Sequence, residues 1–203
     1  MRARKLVSTA DYLAADLASA HKNEFWDGEI RAMAGASPAH VFICSSVVRE
    51  LQQKLRQKCR VAFSDLRVRL SDLRYVYPDI VVVCDPPEYT DEKPPSLLNP
   101  TLIVEVISPS TGEVDRSEKL RAYTRLASVQ AYWIVEQESP QVTTYERQGE
   151  VWALGLVDGL EADVRSEALG LSIPMRDIYD QVDLPPRPAV PASPPADEPP
   201  SDA

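Results

Sequence analysis

The sequence predicts an α/β (α+β) domain, with a mixed central β-sheet flanked by helices and an N-terminal helix and hairpin in front. Three observations predict it. Val76–Cys84 and Thr101–Ile107 are dense in β-branched residues and read as buried strands. Residues 37–58 carry apolar side chains at helical spacing. Helical and strand-like segments follow one another along the chain, so neither class dominates.

In chain order, Thr9 caps a short helix running to about Ala20, with Tyr12, Leu13 and Leu17 along one side. Asp27-Gly28, set between Glu24-Phe25-Trp26 and Glu29–Met33, is a hairpin turn. Ser37-Pro38 opens the long helix with a cap residue and then a proline, whose missing N–H matters least at the first helical position. Val41, Cys44, Val48, Leu51 and Leu55 follow, to about Lys58. Residues 60–70 alternate in part, with Val61, Phe63, Val68 and Leu70 inward, and read as a strand or a broken hairpin. The prolines at 86, 87, 94, 95 and 100 make a loop between the two buried strands. Ser108–Gly112 is a turn. Asp115 caps the next helix, Glu118 completes a capping box, and Leu120, Tyr123 and Leu126 form the apolar stripe. Ala131–Val135 and Val142–Arg147 pair across Glu138-Ser139-Pro140. Val151–Val157 adds a strand, Leu169–Ile173 is the last, and Pro174 opens a final helix to about Val182.

The 203 residues suffice for one core of ordinary size, placed in residues 1–183. Residues 184–203 hold eight of the 18 prolines beside one leucine and one valine, and read as a disordered acidic tail. No apolar run reaches the roughly 18 residues that cross a bilayer. The basic start lacks a signal peptide's apolar stretch, so the reading is a cytoplasmic protein with no membrane partner. Cys44, Cys59 and Cys84 are odd in number and far apart, without zinc spacing, and read as small buried hydrophobes. The net charge of −9, from 22 basic and 31 acidic residues, argues against gripping nucleic acid through a broad basic surface. It is compatible with an acidic site whose metal ions offset the local charge.

The chemistry lies in two acids that break the apolar pattern. Asp79 interrupts VYPDIVVV and Glu105 interrupts TLIVEVIS. Each alone is explained by a strand end or an arginine partner; a carboxylate in such a strand otherwise needs a cation. If the two strands pair, both acids converge on one hard cation, and such oxygen ligands suit magnesium or manganese. Lys119, early in the following helix, can point to the same place. A metal ion and an ammonium beside one water are what phosphodiester hydrolysis needs.

Pro78-Asp79 followed by Glu105-Val106-Ile107 resembles the PD-(D/E)XK nuclease pattern. The wider strings YVYPDIVVV, TLIVEVISPSTGEVDRSEKLRAYTRLASVQAYWIVEQESPQVTTYER and EFWDGEIRAMAGASPAH are similar to the bacterial Uma family of restriction-endonuclease-like proteins, from about Thr9 to Val182. The resemblance implies a restriction-endonuclease-like core and divalent-metal-dependent endonucleolytic cleavage of DNA by a metal-activated water. By position it implies that Asp79, Glu105 and the backbone carbonyl of Val106 hold the metal. Ile107 stands where the pattern has its lysine and cannot do that work; the family's lysine has moved to the helix, which makes Lys119 the counterpart. Glu24 matches a family acid that completes the site. The implied catalytic set is Asp79, Glu105, Lys119 and Glu24, with Mg2+ as cofactor, Mn2+ as a substitute and DNA as partner. A homodimer would suit an enzyme that cuts both strands.

Other residues have duller readings. His40 caps or packs the long helix before it touches phosphate or a metal-bound water. Asp115 is accounted for by capping, Tyr123 lies in the core or at the site rim, and Tyr132 and Trp133 pack. Arg67, Arg69 and Arg74 are solvated on a strand's outer face before they contact DNA. The alternative is a catalytically inert scaffold that binds DNA or protein. Further rivals are a hydrolase of RNA or another phosphodiester, and an adaptor working through the Pro-rich tail.

Overall fold

The computed structural model describes residues 6–33, 35–107 and 113–185. The expected turn at Ser108–Gly112 and residues 186–203 of the expected tail lie outside them. Helix α1 (Thr9–Ala18) starts where expected, but its cap is Ser8, whose Oγ accepts from Asp11 N–H. Tyr12 is buried and stacks on Phe25 at 4.7 Å, while Leu17 is exposed. Strands β1 (Asn23–Trp26) and β2 (Glu29–Ala32) form the hairpin. Asp27 and Gly28 take φ of 49° and 92°, the left-handed pair that a two-residue turn requires.

Helix α2 (Pro38–Leu55) is capped by Ser37 as expected. Its buried side is Ile43, Cys44, Val47, Leu51 and Leu55, whereas Val41 is exposed. Strand β3 (Arg60–Phe63) precedes β4 (Val68–Ser71), β5 (Arg74–Val76) and β6 (Ile80–Val83). Phe63, expected inward, is exposed. The stretch 76–84 is therefore not one strand. It breaks at Tyr77-Pro78-Asp79, where proline has no N–H for a ladder, and the chain passes from one sheet to another.

Next come β7 (Leu102–Ile107), α3 (Glu113–Tyr123) and β8 (Ala131–Glu136). Helix α3 begins two residues before Asp115, which thus lies in its first turn rather than at its cap. Strands β9 (Gln141–Gln148) and β10 (Val151–Asp158) lie where expected, β8 pairs with β9 as expected, and β10 forms a hairpin with β9. Strand β11 (Asp163–Ser166), which was not expected, pairs with β12 (Leu171–Pro174). Helix α4 (Met175–Ile178) is a single turn and stops short of Val182.

The small sheet runs β2-β1-β5-β4 and the central sheet β10-β9-β8-β7-β6-β3. Within the central sheet only β7 and β8 are parallel, joined through α3, so the expected mixed α+β architecture is present. Residues alternate between two cores. Ile80, Val82, Leu102, Val104, Val106 and Trp133 pack with α2, α4 and β12. Val81, Val83, Ile103, Tyr132 and Ile134 pack with Tyr123 of α3 and with the small sheet's Trp26, Val68 and Val76. Burial on both faces explains why β6 is apolar throughout and β7 is apolar at every position but Glu105. Alternation also sends Glu105, odd-numbered like Ile103, toward α3 and the small sheet.

Two further expectations are corrected. Cys59 and Cys84 form a disulfide rather than separate buried hydrophobes, and Cys44 alone is free and buried. The two cysteines flank the terminal Arg60–Val83 pair of the antiparallel β3–β6 ladder, a proximity that sequence separation cannot show. Arg67 is not on an outer face. Its side chain is 2% exposed and donates to Asp16 Oδ2 at 3.0 Å, Ser96 Oγ at 2.8 Å and the Pro94 carbonyl at 2.6 Å. The Tyr77 hydroxyl donates to the same Asp16 oxygen at 2.6 Å. This network ties α1 to the residues just before β4 and just after β5, and to the proline-rich loop. No helix among the described residues is long and apolar enough to cross a membrane.

Arg67→Met should therefore lower stability by about 3–5 kcal/mol, because it strands the buried Asp16 charge. Arg69→Met, which breaks a more exposed pair with Asp72, should change stability by less than about 1 kcal/mol. Urea unfolding of both variants checks the contrast, and equal losses would contradict it.

Candidate functional site

The central sheet, the small sheet and two helices meet around Glu105. Glu105 is 5% exposed. Helix α3 presents Lys119 and Tyr123 one turn apart on the same side. The Lys119 ammonium donates to Glu105 Oε1 at 3.1 Å, and the Tyr123 hydroxyl donates to the same oxygen at 2.6 Å. Strand β1 supplies Glu24, 7% exposed, whose Oε2 accepts from Trp26 Nε1 at 2.9 Å. Its Oε1 lies 3.3 Å from the Lys119 ammonium and is buried without a hydrogen bond.

Asp79 immediately precedes β6. The β6–β7 register ends at Ile80 opposite Val104, so the next amide of β7 on that edge has no strand partner. Asp79 fills the gap: its Oδ2 accepts from Val106 N–H at 2.7 Å. The same oxygen lies 3.1 Å from His40 Nε2, in the first turn of α2. His40 Nδ1 is 3.7 Å from Cys44 Sγ, one turn along. Burial pushes the Cys44 thiol up, with the Asp79 and Glu105 charges adding to it. The contacts of Nδ1 with Cys44 and of Nε2 with Asp79 hold the imidazole in one orientation between them.

The electrostatics are unbalanced. Burial pushes Glu105 up to about 7; Lys119 pulls it back, while Asp79 and Glu24 push it further. The hydrogen bond to Asp79 raises His40 against the opposing effect of burial. Burial holds Tyr123 well above its ordinary value, so it remains a donor.

Two ligand sets can be read here. His40, Cys44 and Asp79 offer atoms all within 4.8 Å of one another. In that set the thiol is protonated and the imidazole is already spent on Asp79, which suits a hard cation poorly. Asp79, Glu105 and Glu24 offer carboxylate oxygens, one of them buried without a hydrogen bond. That donor set fits magnesium or manganese.

The structure thus brings together the expected Asp79, Glu105, Lys119 and Glu24, with Val106 meeting Asp79 through its N–H. His40 reaches the cluster and does more than cap a helix. Tyr123 is core and bonded to Glu105, while Trp133 and Tyr132 pack as expected. Arg69 and Arg74 are ion-paired with Asp72 and Asp27. Sequence reasoning passed over the part played by Trp26 and Cys44. The available signals were Trp26 two strand residues from Glu24, and Cys44 one helical turn from His40.

The profile of the Uma2 family, described as "Putative restriction endonuclease", matches residues 9–176. The uncharacterized protein sll1609 of Synechocystis sp. (strain ATCC 27184 / PCC 6803 / Kazusa) is 31% identical over 79% of this chain and 92% of its own length. Protein slr1290 of the same organism is 32% identical over 85% of this chain and 91% of its own. The crystal structure of "a putative nuclease belonging to DUF820" from Anabaena variabilis ATCC 29413 has a TM-score of 0.64 at 18% identity. That match covers 83% of this chain and 97% of the other, and it shows a shared fold.

The raised Glu105 carries a sign. Between its ordinary 4.5 and about 7 the folded chain holds a proton that the unfolded chain releases, so stability falls as pH rises through that window. His40, raised above 6.5, contributes stability below that value and loses it as pH climbs through its folded one, in the same direction. In metal-free protein, Glu105→Gln should gain melting temperature relative to the wild type as pH rises from about 5 to about 8. A difference that does not change with pH would contradict the charge strain at Glu105.

Proposed function

Since the chain belongs to the Uma2 family, we propose that it is a divalent-metal-dependent endonuclease that hydrolyses DNA phosphodiester bonds. The observation that carries this reading is that two strand carboxylates, Glu105 and Glu24, share one ammonium, while a third acid, Asp79, stands at the end of the neighbouring strand. Lys119 lies 3.1 Å from Glu105 and 3.3 Å from Glu24, with Asp79 tied to the same strand through Val106. The family match supports a nuclease-like activity in general.

Asp79, Glu105 and the Val106 carbonyl would hold Mg2+, or Mn2+ in its place, and Glu24 would support them. The ion would supply Lewis acidity, lowering the pKa of a water and neutralising phosphate charge. The residues do the rest. Asp79 and Glu105, set on adjacent strands, fix where the phosphate comes to rest. Lys119, held by two acids and only partly exposed, points one ammonium at that place to stabilise charge building on phosphorus oxygens. Attack by water on phosphorus forms one P–O bond and breaks the other, and the departing oxygen takes a proton.

Charge bears on the substrate. At −9, the chain has little long-range attraction for DNA, so non-specific binding should be weak, with a shallow salt dependence because few phosphates are neutralised.

Supercoiled plasmid and single-stranded DNA, each with magnesium, with manganese and with chelator, test this reading. Cutting should require the metal and fall by at least about 100-fold in Asp79→Ala and in Lys119→Ala. Cutting that survives Asp79→Ala would overturn the assignment. Absence of cutting, together with equally poor metal binding by wild type and Asp79→Ala, would favour the inert scaffold.

A further inference from the structure

We propose that His40 and Tyr123 are positioning residues, each holding one oxygen of a strand carboxylate, from opposite faces of the central sheet. The inference rests on the metal-dependent reading above and concerns what fixes the geometry of its ligands.

A carboxylate has two equivalent oxygens and turns freely about its last bond. A metal site needs one of them aimed and the other restrained. At Asp79 the restraint falls on Oδ2, which accepts from Val106 N–H at 2.7 Å and faces His40 Nε2 at 3.1 Å. The amide is fixed by the sheet. His40 is fixed by the capped first turn of α2, where its own N–H donates to Ser37 Oγ at 3.1 Å, and by the contact of its Nδ1 with Cys44. At Glu105 the restraint falls on Oε1, which accepts from Tyr123 at 2.6 Å and Lys119 at 3.1 Å. Tyr123 is fully buried and lies edge-on to Tyr132 at 5.0 Å, and Tyr132 stacks on Tyr145 at 5.9 Å. Packing alone would be served by phenylalanine; the hydroxyl adds a rigid donor aimed at Glu105.

The two restraints come from different layers. His40 belongs to the α2 face, and Tyr123 belongs to the α3 face. They constrain neighbouring strands from above and below, and they occupy Oδ2 and Oε1. Asp79 Oδ1 and Glu105 Oε2 are then the oxygens these carboxylates would offer to a cation. Lys119 alone would fix Glu105 less well, because its ammonium is shared with Glu24 at 3.3 Å.

The test is Mn2+ titration of the full chain by calorimetry, with melting temperatures recorded for every variant. Wild type should bind, and Asp79→Ala should not. Tyr123→Phe and His40→Ala should each bind about 10- to 100-fold more weakly while staying folded. His40→Gln, which places an N–H near the same point, should recover part of the loss. Tyr123→Phe should weaken binding no further in a Glu105→Gln background, since the hydroxyl acts through that carboxylate. If wild type binds and Tyr123→Phe and His40→Ala bind equally well, the positioning role is overturned while the metal reading stands. If wild type binds no Mn2+, both fall. Should Tyr123→Phe melt far below the others, the comparison of His40→Ala with His40→Gln decides: equal affinities would overturn the role.

Discussion

One carboxylate buried in a strand that is covered on both faces constrains everything around it. Glu105 is 5% exposed, so solvent screens its charge little, and an isolated carboxylate there would cost several kcal/mol. The fold answers with Lys119 and Tyr123 from α3, then adds Glu24 from β1 to compete for the same ammonium. The buried pair of Asp16 and Arg67 shows what a purely structural solution looks like in the same molecule. There one acid meets one guanidinium, and Asn23 N–H, Tyr77, Ser96 and the Pro94 carbonyl fill the remaining valences. Nothing is left in excess, whereas around Glu105 acid is in excess and the carboxylate is pushed up. Such imbalance is what separates a site from a salt bridge.

The site also straddles two sheets. Asp79 stands where the chain leaves β5 of the small sheet and enters β6 of the central one, and Glu24 lies on β1, the neighbour of β5. The docking of the small sheet thus sets the distance between the acids. Trp26 serves both ends of this arrangement: its ring packs in the core shared by the two sheets, and its Nε1 orients Glu24.

How much of this was legible in the sequence differs by residue. Glu105 stood out because an acid broke an apolar alternation, and Asp79 because it followed a proline in a β-branched run. Those signals are local. Lys119 was placed by its position early in the helix after the second strand and then by resemblance, while Glu24 came from resemblance alone, since no periodicity connects a hairpin to a later helix. The split of 76–84 was hidden because apolar density reports burial but not which sheet buries it. In α2 the apolar residues 41–44 crowd more than one side, so the buried stripe was placed partly wrong, on Val41 instead of Ile43 and Val47. Arg67 looked solvated by strand alternation, yet its partners Asp16 and Ser96 are remote in sequence. Strand β11, with charged residues on its exposed side, offered only Val164 and Ser166 as inward positions. The disulfide was out of reach for the same reason as the site: both are long-range pairings made by the β6 ladders.

Electrostatics narrows how a chain like this can meet a polyanion. Besides the net charge of −9, several cations of the small sheet are already neutralised. Arg31 is paired with Glu118, Arg74 with Asp27, Arg69 with Asp72, and Arg67 with Asp16. Two of these guanidiniums, Arg31 and Arg74, lie over Trp26 at 5.1 and 5.5 Å from its ring. A phosphate approaching this face must compete with a carboxylate for each arginine, and such an exchange yields little net energy. Attraction for a phosphodiester on the proposed reading must then come from the centre, where a metal ion would add cationic charge to a cluster in which acid exceeds its one ammonium. Binding and reaction would depend on the same few groups, and substrate affinity would follow occupancy of the carboxylates more closely than it follows the protein's overall field.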